Sequence, residues 1–530
     1  MQRWNGWGSD TVDVALAPDA IGFLAARLGS GAAAPDAPLA AVLQTVPASR
    51  LPAHPLVTIA PEARVAHARG QSLPDWIALR SGRLGVVPDG VAYPTTRQEV
   101  RALLQYAAAV GACLIPYGGG TSVVGHINPE PGPAPVLTVD LRRMQRLRSL
   151  SPVSRLAVFE AGIAGPMVEA HLRAAGYTLG HFPQSFEFST LGGWVATRSS
   201  GQQSLGYGRI EQLFAGGHLE APAGSLDLPP FPASAAGPDL RALILGSEGR
   251  LGILTEATVR ITPLPEREEF HGVFFRDWEH GLGAARRLSQ EGLLLSLVRL
   301  STPAETATLL ALGGHARAVH TLERYLALRG IGAGKCLLLL GCSGRTARVA
   351  ASRRQALRIT RQYHGVSTGQ ALGQQWLRSR FRLPYLRNAL WDQGYAVDTV
   401  ETAADWSRVP ALLAAVERAL QTGLADVGER VHATAHLSHL YPTGSSIYTT
   451  YLYRRAGDPH ETLRRWQVLK AAASRAIVAA GGTISHHHGV GADHRPYLEA
   501  EKGALGLATL RAMGQTLDPA GLMNPGKLIP

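Results

Sequence analysis

From residue 86 onward, short apolar runs alternate with stretches of helical period. VAYP and CLIPYG read as strands, and TTRQEVRALLQYAAAVG between them repeats its apolar positions every three to four residues behind a Thr cap. LTVDLRRM, LAVFEAG and MVEAHLRAAGYTLG continue the alternation, and RALILGSEGRLGILTEATVRITPLP ends it with two strands stopped by prolines. This predicts one α+β unit over residues 86–265, with the Pro-rich stretch LEAPAGSLDLPPFPASAAGPD as an excursion from it. FHGVFF, SLVRLS and CLLLLGC then predict a second sheet carrying helices on one face, over 266–455. Residues 456–530 read as mostly helical and return to another part of the fold. Residues 1–85 read as short helices joined by Pro/Ala stretches such as GSGAAAPDAP, an N-terminal cap. No repeat of 20 to 50 residues is present.

Length agrees with this division, because 530 residues exceed what one core usually supports. With 45% hydrophobic and 17% charged residues the chain has the balance of a compact soluble enzyme and lacks that of a disordered one. MQRWNGWGSD has no apolar core of signal-peptide length, and no stretch reaches the roughly 18 apolar residues a membrane span requires. The expected location is the cytoplasm. Cys113, Cys336 and Cys342 are too few for a disulfide framework and lack zinc spacing, which fits a reducing compartment. The formal charge of +12 comes from scattered arginines, with no basic tail, so it excludes nucleic acid as a favoured partner. An acidic small molecule or peripheral contact with an anionic membrane accommodates the same charge.

Three glycine loops carry the first chemistry. PYGGGTSVVG follows a predicted strand and frees the backbone N–H groups of Gly118, Gly119 and Gly120 to converge on a phosphate. Its spacing matches neither the dinucleotide fingerprint nor the nucleoside triphosphate loop. STLGGWVATRSSGQQSLGYG places paired glycines before a helix start, and GSEGRLGI lies near the end of the same unit. One such loop is commonly a plain turn; three together point to an anion.

In combination, these loops with HFPQSFEF and YGRIEQL resemble the FAD-binding domain of the vanillyl-alcohol oxidase and p-cresol methylhydroxylase (PCMH) flavoproteins. The resemblance implies an α+β fold: a PCMH-type FAD-binding domain, a cap domain of antiparallel sheet with helices for the substrate, and a helical C-terminal segment completing the flavin site. It assigns the pyrophosphate to Gly118, Gly119, Gly120, Thr121 and Ser122, with Pro116 and Tyr117 beside them as cofactor-binding residues. It assigns the rest of FAD to Pro183, Ser185, Thr190, Gly192, Gly193, Thr197, Ser199, Glu248, Gly249, Leu251, Gly252 and Ile253. Where covalent members carry His or Cys, this chain has Tyr117 and Thr121, so FAD is expected to be noncovalent.

RWNGWG, FPQSFEFSTLGGWVATRSSGQ and GGTISHHHGVG are in addition similar to the alkyldihydroxyacetonephosphate synthases. That likeness implies exchange of the acyl chain of acyl-dihydroxyacetone phosphate for a long-chain alcohol, through an adduct at flavin N5 and without net oxidation. It implies Tyr448 in SSIYTTY as the proton-abstracting group. A phenol titrates near 10, so a nearby cation is expected to lower it, supplied by His487 and His488 of the TISHHHGVGADHR run with His486 beside them. Arg387 is expected to grip phosphate as a planar fork, and Arg299 and His436 to contact substrate. Read singly, a strand tyrosine is a packing residue, an arginine a surface charge, and a histidine run a metal site.

One departure keeps an oxidoreductase reading open. His436 occupies the station of a synthase arginine, which in D-2-hydroxyacid dehydrogenases holds a metal-binding histidine, and His439 lies three residues on. Against it, His487 stands where those enzymes have glutamate. The expected set contains no metal, and pairing into a homodimer is compatible with it.

Overall fold

The computed structural model describes residues 2–314 and 316–529. Among the described residues three larger sheets organise the chain, beside a two-stranded ribbon of Tyr177–Thr178 and Thr262–Pro263. The first has the order Val57–Thr58, Gly90–Ala92, Val136–Asp140, Cys113–Tyr117; its last three strands run parallel, with the helix Arg97–Val110 connecting two of them. Thr96 caps that helix by accepting from the Glu99 amide, the Thr cap the sequence pattern predicts, and Gly111 ends it in the left-handed conformation. The second sheet is antiparallel in the order Leu147–Ser151, Leu156–Glu160, Ile253–Arg260, Phe214–Ala221, Gly224–Leu228. The stretch read as a Pro-rich excursion therefore begins inside this sheet. LEAPAGSLDL forms a hairpin turning between Ala221 and Gly224, whose φ of +155° only glycine takes easily, and the excursion proper is residues 229–239.

The third sheet has seven strands, all antiparallel, in the order Val366–Ser367, Arg267–Phe275, Cys336–Gly344, Leu297–Ser301, His432–Leu437, Gly444–Arg454, Tyr395–Asp405. Alternation of side chains divides it into two faces. Val298, Leu300, Val400, Ala433, Ala435, Leu437, Ile447, Tyr451 and Tyr453 enter one core with the helices Trp278–Gln290, Thr346–Gln362, Val409–Thr422 and Pro459–Ala479.

The alternate residues Leu297, Arg299, Val397, Thr399, Thr434, His436, Tyr448, Thr450 and Leu452 face the other way and line a cavity. Polar and ionisable groups are thus carried on one face of a sheet whose other face is buried against helices, and that rigid backing positions the site. No helix among the described residues is long and apolar enough to cross a membrane.

Candidate active site

One cavity of about 480 Å³ runs from the glycine loops to this sheet face, within the usual size of a small-molecule site. At one end the wall is backbone. A Cβ on Gly118 would collide with Thr190 Oγ1 and one on Gly119 with the Phe188 carbonyl oxygen, so the first loop is pressed against the second with no room for a side chain. Gly120 has φ +69°, a turn that suits glycine. Thr190 caps the helix Leu191–Thr197 by accepting from the Gly193 amide. The hydroxyl of Ser200 and Oδ1 of Asn524, both on the cavity wall, are buried without a partner among the described residues. Closely packed loops with unpaired polar atoms fit an elongated polar cofactor such as FAD.

Of the residues assigned to FAD, all line the cavity except Leu251 and Ile253. Those two side chains lie in apolar cores, Leu251 with Phe159 and Trp194 and Ile253 with Leu114 and Met523. Glu248 lines the cavity, but its carboxylate accepts from the amides of Val490, at 2.6 Å, and Gly491, at 2.8 Å. It therefore ties the loop after the histidine run to the glycine-loop half.

At the other end the site is built from side chains in cross-strand register. Glu401 lies opposite Tyr448, Tyr448 opposite His436, and His436 opposite Ser301. Directly opposed residues share a face. The Tyr448 ring stacks on His436 with centroids 5.1 Å apart and on His487 at 5.8 Å, and meets His488 edge-on at 5.5 Å. The structure thus brings Tyr448, His436, His487, His488, Arg299 and Arg387 to one cavity. His486 does not line it and stands behind His487, its Nδ1 2.9 Å from His487 Nδ1.

Sequence reasoning missed Glu401. Its side chain is wholly buried, and it accepts from the amides of His486 (2.6 Å), His487 (3.1 Å) and His488 (2.9 Å) and from the Ser485 hydroxyl (2.6 Å). Four donors on one carboxylate set the course of the histidine run. Burial disfavours its charge, but the neighbouring histidines and Ser485 outweigh that and hold the carboxyl well below its usual range. The signal that could have found it is the alternation in YAVDTVETAAD, an acidic residue among the apolar and small positions of a strand.

Electrostatics corrects the expected source of activation. Burial pushes His487 down to about 3 and His488 to about 4, so both are neutral near pH 7. Burial also raises Tyr448 to about 12, against lowering by Thr399 and Arg387. The histidines are hydrogen-bonding imidazoles and do not supply the cation the phenol was expected to need. Arg299 lies 3.1 Å from Glu305, and His436 Nδ1 lies 2.7 Å from the same oxygen. Burial raises Glu305, and His436 and Arg299 more than reverse this, to about 2. Arg387 stacks on Trp76 and donates to the Gln71 carbonyl, with no carboxylate at ion-pair distance among the described residues.

His439, His486 and His487 offer nitrogens within 4.8 Å of one another, a spacing that could hold a metal. Five of the six ring nitrogens have partners in this arrangement: His439 pairs with Ser438 and the Gly201 carbonyl, His486 with Arg209, Tyr441 and His487, and His487 Nδ1 with His486.

Residues 264–528 match the family described as FAD linked oxidases, C-terminal domain, and residues 88–226 match the FAD binding domain. The chain is 32% identical over 475 residues to the alkyldihydroxyacetonephosphate synthase of Dictyostelium discoideum, covering 88% of this chain and 77% of that protein. The chain belongs to the alkyldihydroxyacetonephosphate synthase family. A solved alkyldihydroxyacetonephosphate synthase superposes with a TM-score of 0.85 at 27% identity, covering 99% of each chain. p-Cresol methylhydroxylase, at 14% identity and a TM-score of 0.69 over 89% of this chain and 93% of its own, shares the fold. Membership makes this an FAD-dependent enzyme with a PCMH-type domain, as its glycine loops imply.

Proposed function

We propose that the protein exchanges the acyl chain of acyl-dihydroxyacetone phosphate for a long-chain alcohol, giving the ether and a free fatty acid. The carbon–oxygen bond to the acyl group breaks, a carbon–oxygen bond to the alcohol forms, and the alcohol's proton is released. The observation that carries this reading is the single cavity joining the glycine loops, Tyr448 with its imidazoles, an arginine without a carboxylate partner among the described residues, and an apolar wall that includes Leu309, Leu312, Leu386, Leu390 and Leu452. The loops carrying Gly118, Gly119, Thr190 and Gly193 would hold FAD noncovalently, and the bound flavin would supply an electron-rich centre for activating the carbon with no net redox change.

Arg387 is the phosphate ligand in this reading, because Arg299 is engaged by Glu305. The leucine wall suits an alkyl chain. Tyr448 is the proton-transferring group in this reading; burial keeps its proton on at rest, and the sheet fixes the phenol between His436 and His487. Anaerobic mixing with acyl-dihydroxyacetone phosphate and hexadecanol tests the reading. Fatty acid and an alkyl ether are expected, with no bleaching of the flavin by lactate or 2-hydroxyglutarate. Bleaching by a 2-hydroxy acid without fatty-acid release would replace this reading with hydroxy-acid oxidation.

A further inference from the structure

Behind the cavity, hydrogen-bond donors and acceptors determine which nitrogen of His487 carries its proton. Arg209 NH1 lies 2.6 Å from His486 Nε2, and the Tyr441 hydroxyl is also 2.6 Å from that nitrogen. A guanidinium has only donors, so His486 Nε2 must be the acceptor. A neutral imidazole has one N–H, which is then on Nδ1. That Nδ1–H points at His487 Nδ1, 2.9 Å away, which must accept it. The Glu401 carboxylate is farther from this nitrogen, at 3.5 Å, and that oxygen already accepts from the His486 amide. The remaining proton of His487 is therefore on Nε2, which has no hydrogen-bond partner among the described residues, on a residue that lines the cavity. Arg209 is itself held, donating through NH2 to the carbonyls of His486 (2.8 Å) and Arg198 (3.2 Å) and through NH1 to the Tyr441 hydroxyl (3.1 Å).

We propose that Arg209 and Tyr441 are positioning residues for the exchange: by holding His486 in its Nδ1–H form they hold His487 in its Nε2–H form, so that His487 offers the cavity a donor and not a base. This rests on the exchange reading for its purpose, the donor serving the oxygen of the departing acyl group. Depressed titration of both imidazoles, from burial, keeps them neutral and preserves the arrangement.

Nitrogen-15 spectra of the FAD-loaded enzyme labelled at histidine test the arrangement directly, with His487 identified by the signals lost in His487→Gln. The wild type should show His487 protonated at Nε2. Arg209→Gln should give mixed tautomers and slow fatty-acid release by at least about 10-fold, since a histidine in the wrong tautomer is catalytically idle, with flavin content unchanged. Arg209→Lys, which keeps a donor-only cation, should restore the wild-type tautomer, and this variant decides the matter if Arg209→Gln does not fold. His487 protonated at Nδ1 in the wild type, or an unchanged tautomer in Arg209→Gln, overturns the proposal. The expected tautomer in an enzyme that releases no fatty acid overturns the exchange reading and leaves the tautomer assignment standing.

Discussion

The two ends of the cavity are made differently. The glycine-loop end is backbone, closed where short contiguous loops press on one another, whereas the tyrosine end is side chains gathered from four strands, a helix and a loop. The first depends on the absence of a Cβ at Gly118 and Gly119; the second depends on register and on a carboxylate beneath it. Damage at one end should therefore leave the other end's property intact.

Tyr448→Phe provides the largest separation. Fatty-acid release should fall by about 10²- to 10⁴-fold, the range for loss of a proton-transferring group, while bound flavin, read from its absorbance, is unchanged. Glu401→Ala comes next, leaving four buried donors unpaired; an unfolding titration should show a loss of about 3 to 5 kcal/mol, as for removing one partner of a buried charged network. Gly119→Ala attacks the opposite end: its Cβ meets the Phe188 carbonyl, so flavin retention on gel filtration should drop, with stability lower by about 1 to 3 kcal/mol. If Tyr448→Phe lost flavin or Gly119→Ala kept it, the division between the ends would be broken.

The smallest effect over an assay's usual range is that of pH on stability. His487 and His488 titrate near 3 and 4 in the folded protein and near 6.5 when unfolded. Below pH 6.5 the unfolded chain binds protons that the folded one refuses, so stability is full above that pH and declines as pH falls toward 3. Tm measured at pH 8, 7, 6 and 5 should be flat at first and then drop. A Tm that rises on acidification would mean that the imidazoles are charged in the fold.

How much of this is legible in the sequence follows from the same contrast. Each glycine loop is contiguous, so an anion site is readable from local sequence while FAD comes from the resemblance, and the Thr96 cap and the strand at Cys113–Tyr117 follow from local pattern. Tyr448 and the histidines are reached only through resemblance. Glu401, Arg209 and Tyr441 are not reached at all, because each acts through a partner far along the chain: Arg209 meets His486 across 277 positions and Glu401 meets His487 across 86. A strand's register cannot be read from its own residues, so neither can the row from Glu401 to His436. The charge state of the histidines escapes for a related reason, since burial is a property of the fold.

The loop at residues 483–491 is fastened to both halves, to Glu401 on the sheet and to Glu248 among the glycine loops. Every strand of the three sheets precedes it in the chain, so a ribosome delivers this clasp only after the parts it joins. Until that loop is made, a nascent polypeptide lacks the residues that complete its reaction centre, so turnover waits on this segment.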